Sequence, residues 1–316
     1  MSFYIIINKI YQYLKVLIII ILCIIICIFS ISRLNNSSTN SKIIRHTHDV
    51  FSPHKVFIES HCGVNREIFQ NTLESFSKTI EYNIESFETD VWITKDNVSV
   101  LVHADKNGDL RGYFLQGGNV KYLTWDQLSK FRTVQGNYTM PRLIDAMKLA
   151  KNKIFMNLEF KDPRVDLVFP HVIKLIEEYD FFEQISLSSL YYDYYKKVEE
   201  YNNKNDRKLV FGFVYKKGMQ NYYDFTKKGH TLNIYWEDVT KEICDKAHEN
   251  GMAVVGWFKM IEDENIEHYK RLIENGVDVI IANYPLIAKK YRDTIYKERR
   301  LKIIDYLKHI IYKEYI

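Results

Sequence analysis

From Lys55 onward, short apolar runs alternate with amphipathic stretches, and this alternation constrains the fold of the 316-residue chain more than any other feature. Strand-like runs occur at 56–60, 87–92, 153–160, 184–189, 209–214, 231–236, 252–257 and 277–282. Helix-period stretches lie between most of them, at 72–82, 143–152, 167–179, 239–250 and 265–276. Repetition of a strand pattern followed by a helix pattern is what parallel strands joined by crossover helices require. Eight such units in roughly 240 residues predict an α/β fold, a (β/α)8 TIM barrel, although an open doubly wound sheet would show the same alternation. A ninth run, 98–103, follows 87–92 after only Lys95-Asp96-Asn97. So short a link permits only an antiparallel return, and this run is expected as a hairpin arm outside the barrel. Residues 104–140 are richer in Gly and polar residues and are expected as a short insertion; a loop of that length is usually functional or mobile.

Ahead of the barrel pattern, Val16 to Ile31 is apolar apart from Ser30, and the Tyr- and Ile-rich residues before it extend the span toward bilayer length. Residues 1–33 are therefore expected as a single-pass N-terminal transmembrane helix, with a cleaved secretory signal as the rival reading. Flanking charges lean toward an exported, extracytoplasmic body. Residues 34–45 are polar and aperiodic and read as a flexible linker, 46–290 as the barrel, and 291–316 as a basic C-terminal helix or tail.

The formal charge of +4 comes from the leader, where Lys9, Lys15, Arg33, Lys42 and Arg45 stand with no acid. Outside residues 1–45 the chain is close to neutral, so the basic field of a nucleic-acid binder is missing and no nucleic-acid partner is expected. Neither GxGxxG nor GxxxxGK[ST] occurs. Cysteines 23, 27, 62 and 244 have no CxxC spacing, which argues against a zinc site or a disulfide framework.

In a β/α barrel the active site lies at the C-terminal ends of the strands. His61 closes the first run, Glu88 and Asp90 stand at i and i+2 of the second, His103 ends the hairpin arm, and Glu159 and Lys161 stand at i and i+2 of the third. The period of two places each of these pairs on one face, so the groups can converge on one mouth. Clustered carboxylates repel unless a cation or protons neutralise them, and oxygen-only ligation favours a hard divalent ion, Mg²⁺ or Ca²⁺. A lysine on the same face supplies charge for an anionic substrate, and two imidazoles can serve as base and acid. Together these parts suggest phosphoester cleavage.

The segments HCGVNREIFQNTLESF (61–76), FETDVWITKDNVSVLVHAD (87–105), NLEFKD (157–162), WFKM (257–260) and GVDVIIANYP (276–285) resemble successive motifs of the glycerophosphodiester phosphodiesterase family. The spacings agree as well: 27 residues from His61 to Glu88, 2 to Asp90 and 13 on to His103. The resemblance implies a TIM barrel with a small inserted subdomain. It also implies paired catalytic histidines at His61 and His103, metal ligands at Glu88, Asp90 and Glu159, and substrate contacts from Lys161 and Trp257. The implied activity is metal-dependent cleavage of glycerophosphodiesters to sn-glycerol 3-phosphate and an alcohol. Asn71 or Thr72 is expected only to cap the first helix.

Three departures qualify the resemblance. Cys62 stands where an arginine is usual, Gln70 where a glutamate is usual, and Asn283 where an aspartate is usual. Cys62 is expected as a buried thiol, because neighbouring strand residues point to opposite faces unless the chain turns sharply. Arg66 could reach the site from the loop. Two other readings share the pattern: a sphingomyelinase D-like or lysophospholipase D-like enzyme with a lysophospholipid substrate, and a catalytically impaired barrel that binds lipid headgroups.

Overall fold

The computed structural model describes residues 56–225, 229–259 and 264–298. Its strands are β1 (Phe57–Ser60), β2 (Ser86–Ile93), β3 (Ser99–Leu101), β4 (Phe155–Phe160), β5 (Ile185–Ser189), β6 (Phe211–Tyr215), β7 (Thr231–Tyr235), β8 (Ala253–Trp257) and β9 (Val279–Ala282). Eight of them pair in parallel, in the order β1-β9-β8-β7-β6-β5-β4-β2, and a β1–β2 pairing closes the ring. The sheet is thus a TIM barrel and not an open doubly wound sheet. As expected, β3 runs antiparallel to β2 and lies outside the ring.

The helices are α1 (Leu73–Glu81), α2 (Trp125–Leu128), α3 (Leu143–Ala150), α4 (Val165–Glu178), α5 (Tyr192–Lys204), α6 (Lys241–Glu249), α7 (Ile266–Asn275) and α8 (285–298). Local chemistry sets their ends. The Thr72 hydroxyl accepts the Ser75 amide at the start of α1, Asn265 accepts the His268 amide at the start of α7, and Gly276 ends α7 at φ 95°. Helix α5 lies outside the stretches picked by periodicity, because only Tyr194, Tyr195 and Val198 of its residues are buried. The expectation of eight complete β/α units needs one correction: between β6 and β7 the described residues hold only a 3₁₀ turn, Gln220–Tyr222.

Alternate residues along each strand serve two different cores. Ile58, Val254 and Ile280 join the shell between sheet and helices, whereas Phe57, Val255, Val279 and Ile281 form a separate apolar cluster in the bore. Shell packing includes the Phe76–Phe87 stack, which fastens α1 to β2 with centroids 4.3 Å apart, and the Phe160–Tyr194 stack, which fastens α5 to β4 at 4.1 Å. Each such pair contributes roughly 0.5–1.5 kcal/mol beyond the area it buries.

The insertion at 104–140 is ordered around a core of its own, in which Leu110, Phe114, Val120, Leu128 and Met140 pack on Trp92 and Val100 of the hairpin. At the other end of the chain, α8 runs without a break through position 290 into the stretch set apart as a basic tail. Its Arg292 is fully buried, pairing with Glu85 at 2.9 Å and donating to the Val56 carbonyl at 2.8 Å. Among the described residues no helix is long and apolar enough to cross a membrane. The anchor at 1–33, the linker at 34–45 and residues 299–316 lie outside the described residues.

Candidate active site

Strand β1 ends at Ser60, and the chain then turns sharply. Cys62 sits at φ 54° and Gly63 at φ 82°, and a Cβ on Gly63 would lie 2.3 Å from Ser75 Oγ. Only glycine fits there. The turn corrects the expectation that Cys62 would face away from the mouth. It is buried, as foreseen, but its Sγ lies 3.4 Å from Glu88 Oε2 and 3.5 Å from Asp90 Oδ2, and its backbone amide donates to Glu88 Oε2 at 3.0 Å. Burial first, and then the charges of Glu88 and Asp90, push the thiol well above its ordinary pKa. A thiol so held is a hydrogen-bond donor and not a nucleophile.

Glu88, Asp90 and Glu159 are all buried, and Asp90 and Glu159 are register partners across β2 and β4. Their carboxylate oxygens lie within 4.8 Å of one another. Glu88 Oε1 is buried without a partner, and Asp90 Oδ1 and Glu159 Oε1 meet only the Lys161 ammonium, at 3.4 and 2.7 Å. Burial raises Glu88 well above the usual carboxylate range, and the neighbouring Asp90 and Glu159 add to this. Glu159 is raised by burial, with Lys161 opposing. For Asp90, burial is outweighed by Lys161, His103 and Asn71, which hold it below the usual range. Burial works against a charged Lys161, but Glu159, Asp90 and Glu88 prevail and raise its pKa. Three carboxylates against one ammonium leave an excess of negative charge on oxygen-only donors. That donor set fits a hard divalent cation.

Asn71 is more than part of a helix start. Thr72 provides the cap, while Asn71, at φ 53°, turns inward; its Nδ2 donates to Asp90 Oδ2 at 3.0 Å and its Oδ1 accepts from the Thr89 hydroxyl. Sequence reasoning missed this role. The available signal was an asparagine just outside the cap, a residue type that tolerates the left-handed region.

The two histidines have different partners. His61 Nδ1 lies 3.0 Å from Asn283 Oδ1, which also accepts from Asn65 Nδ2 at 2.8 Å. Burial is the main reason that the His61 pKa falls to about 4; Asp90 opposes the shift, while His103 and Lys161 reinforce it. His103 Nδ1 lies 3.0 Å from the hydroxyl of Tyr113, a residue of the insertion that the sequence did not single out.

Most of these groups open on one cavity of about 860 Å³ at the C-terminal ends of the strands. His61, Glu88, His103, Glu159, Lys161 and Trp257 line it, and Asp90 lies against it through Lys161. Every candidate residue named from the sequence is thus brought to one mouth. Arg66 lines the same cavity from the loop, its guanidinium 5.9 Å from the Tyr284 ring centre. Trp257 donates from Nε1 to the Tyr215 carbonyl at 3.2 Å and stands edge-on to Tyr235.

The chain is similar to known proteins in sequence and in fold. Residues 61–287 match the family described as the glycerophosphoryl diester phosphodiesterase family. A glycerophosphodiester phosphodiesterase of Caldanaerobacter subterraneus subsp. tengcongensis is 25% identical over 247 residues, covering 73% of this chain and 95% of that protein. Among solved structures, a candidate glycerophosphodiester phosphodiesterase from Galdieria sulphuraria superposes with a TM-score of 0.66 at 24% identity, over 75% of this chain and 98% of that one. A phosphodiesterase from Oleispira antarctica, solved with the product sn-glycerol-3-phosphate, gives 0.64 at 16% identity, over 75% of this chain and 96% of that one.

Proposed function

Because the chain belongs to the glycerophosphoryl diester phosphodiesterase family of enzymes, we propose that it hydrolyses glycerophosphodiesters to sn-glycerol 3-phosphate and an alcohol. The observation that carries this reading is the convergence of three buried carboxylates, one lysine and two histidines on one cavity. The product complex of the Oleispira antarctica relative supports it.

Glu88, Asp90 and Glu159 would hold a divalent cation, Mg²⁺ or Ca²⁺. When bound, such an ion supplies Lewis acidity toward the phosphoryl oxygens. Lys161, charged and pinned between Glu159 and Asp90, presents a fixed positive charge to the same anionic group. Asn283 Oδ1, accepting from Nδ1–H of His61, leaves the other ring nitrogen with a free lone pair; with its pKa near 4 the ring is neutral and ready to take a proton. As an imidazolium, His103 can donate Nδ1–H to the Tyr113 hydroxyl oxygen and its other N–H to the leaving oxygen, returning to the neutral ring. His61 is therefore assigned as base and His103 as acid. Trp257 gives the substrate an aromatic wall.

The apolar run at 16–31 supports a further part of the proposal, a single-pass anchor with the barrel on the extracytoplasmic side of a membrane.

The test is release of sn-glycerol 3-phosphate from glycerophosphocholine by the full-length protein with added Mg²⁺ or Ca²⁺. EDTA should abolish it, and His61→Ala or Glu88→Gln should lower turnover by about 10²-fold or more with an unchanged melting profile. Near-normal turnover in either variant overturns the assignment. Cleavage of lysophosphatidylcholine alone would instead establish the lysophospholipase D-like reading, and metal binding with no turnover on either substrate the headgroup-binding one.

A further inference from the structure

Glu264 stands between the segments 257–260 and 276–285, which carry part of the family likeness, and belongs to neither. It lies just before α7, and its carboxylate turns back toward the end of β9. That strand end has a need the sheet does not meet. Strand β9 stops at Ala282, whose carbonyl accepts the His61 amide at 3.0 Å. Pairing with β1 and β8 goes no further, so among the described residues the amides of Asn283 and Tyr284 find no strand to pair with. A buried amide left without an acceptor is costly, and the chain must supply one from elsewhere.

Glu264 supplies both acceptors. Its Oε2 accepts the Asn283 amide at 2.9 Å, and its Oε1 accepts the Tyr284 amide at 3.0 Å. Oε1 also accepts the hydroxyl of Tyr269, which is buried on α7 and stands edge-on to Phe258, the residue after Trp257. The carboxylate is thus held by α7 on one side and holds the end of β9 on the other.

What it holds there bears on the site. Asn283 stands two residues beyond Ile281, and alternation puts both on the side of the cavity that they line. Asn283 Oδ1 meets His61 Nδ1 at 3.0 Å and accepts from Asn65 Nδ2 at 2.8 Å. The asparagine side chain is short and its first torsion is confined to staggered rotamers, so its backbone position decides where Oδ1 falls. We propose that Glu264 is a positioning residue for the base. By fixing the Asn283 and Tyr284 amides, it sets Asn283 Oδ1 against His61 and aims the free ring nitrogen of His61 at the reacting group. The proposal rests on the assignment of His61 as base in a phosphodiester hydrolase.

The experiment is a double-mutant cycle in the full-length protein, with glycerophosphocholine as substrate. Glu264→Gln keeps the shape but replaces one carboxylate oxygen by an amide nitrogen, which cannot accept a backbone N–H. Alone, it should lower kcat by about 10–100-fold, with KM and divalent-ion affinity little changed. In the Asn283→Ala background, where the link to His61 is already cut, the same substitution should lower kcat by less than about twofold. An equal loss in both backgrounds, or no loss in either, overturns the proposal. Should Glu264→Gln unfold, Glu264→Asp, which keeps both oxygens on a stem one methylene shorter, enters the same cycle. A second readout needs no turnover. In protein carrying isotope-labelled histidine, the His61 Nδ1–H held by Asn283 should give a ring N–H resonance that Asn283→Ala removes and Glu264→Gln removes or shifts. A resonance absent from the wild type, or unchanged in Glu264→Gln, overturns the proposal even where the diester is hydrolysed. If the resonance responds as expected in a protein that turns over no phosphodiester, the hydrolytic reading falls and the control of His61 by Glu264 stands.

Discussion

Asn71 Nδ2 donates to Asp90 Oδ2 at 3.0 Å from a backbone held at φ 53°, so a residue outside the carboxylate cluster orients one of its members. Removing the donor leaves a buried carboxylate oxygen short of a partner. Asn71→Gly accommodates the backbone and deletes only the side chain. It should weaken divalent-ion affinity by about 10–100-fold and lower stability by about 1–3 kcal/mol. Metal titration calorimetry and urea unfolding check the two effects, and unchanged affinity would show that Asp90 needs no such support.

Asn283 accepts from His61 without carrying a charge. In Asn283→Asp a carboxylate 3.0 Å from Nδ1 favours the imidazolium, so the His61 pKa rises from its present value of about 4. A base must be unprotonated to act, and the acidic limb of the kcat/KM profile should therefore move to higher pH. A pH–rate profile of the variant beside the wild type reads this directly; a limb that stays put or moves down would remove His61 from the role of base.

His248 Nε2 lies 2.9 Å from the buried Asp278, which also accepts the Val254 amide at 2.6 Å. The hydrogen bond to Asp278 is the main reason that the His248 pKa is raised. A raised folded-state pKa means that the stabilisation is full below the unfolded value near 6.5 and fades as pH climbs through the folded value. Urea midpoints should accordingly fall between pH 6 and 9 in the wild type by more than in His248→Gln. Equal slopes would assign the pH dependence elsewhere.

Cys62 and Cys244 should resist alkylation in the native protein. Both are buried, burial and then the neighbouring carboxylates keep the Cys62 thiol protonated, and burial pushes Cys244 to about 12. Iodoacetamide labelling read by mass spectrometry should mark these two positions only after denaturation. Fast labelling of Cys62 in the folded state would mean that the turn at 61–67 opens readily.

Most of the fold was legible because period and spacing are local properties. The runs at 56–60 and 87–92 alternate or are buried as strands must be, and the three-residue link before 98–103 allows only a hairpin. Helix α5 was not legible, since its Tyr- and Lys-rich sequence shows little apolar periodicity and is ordered by the packing of Tyr194 on Phe160. That the described residues between β6 and β7 hold only a 3₁₀ turn was equally hidden, because a crossover of adequate length need not be helical.

In the site, the sequence by itself determined which groups share a strand face: Glu88 with Asp90, and Glu159 with Lys161. The period of two guarantees that. Tertiary structure decided what only through-space contact can decide. A left-handed turn at Cys62 and Gly63 brings a thiol to the carboxylates from a position that alternation assigns to the other face. Parallel pairing of β1 with β9 in the closed ring sets Asn283 against His61 across more than two hundred residues, and the insertion delivers Tyr113 to His103. These contacts depend on positive backbone angles and on strand register around a closed barrel, neither of which is written in the spacing of any one segment.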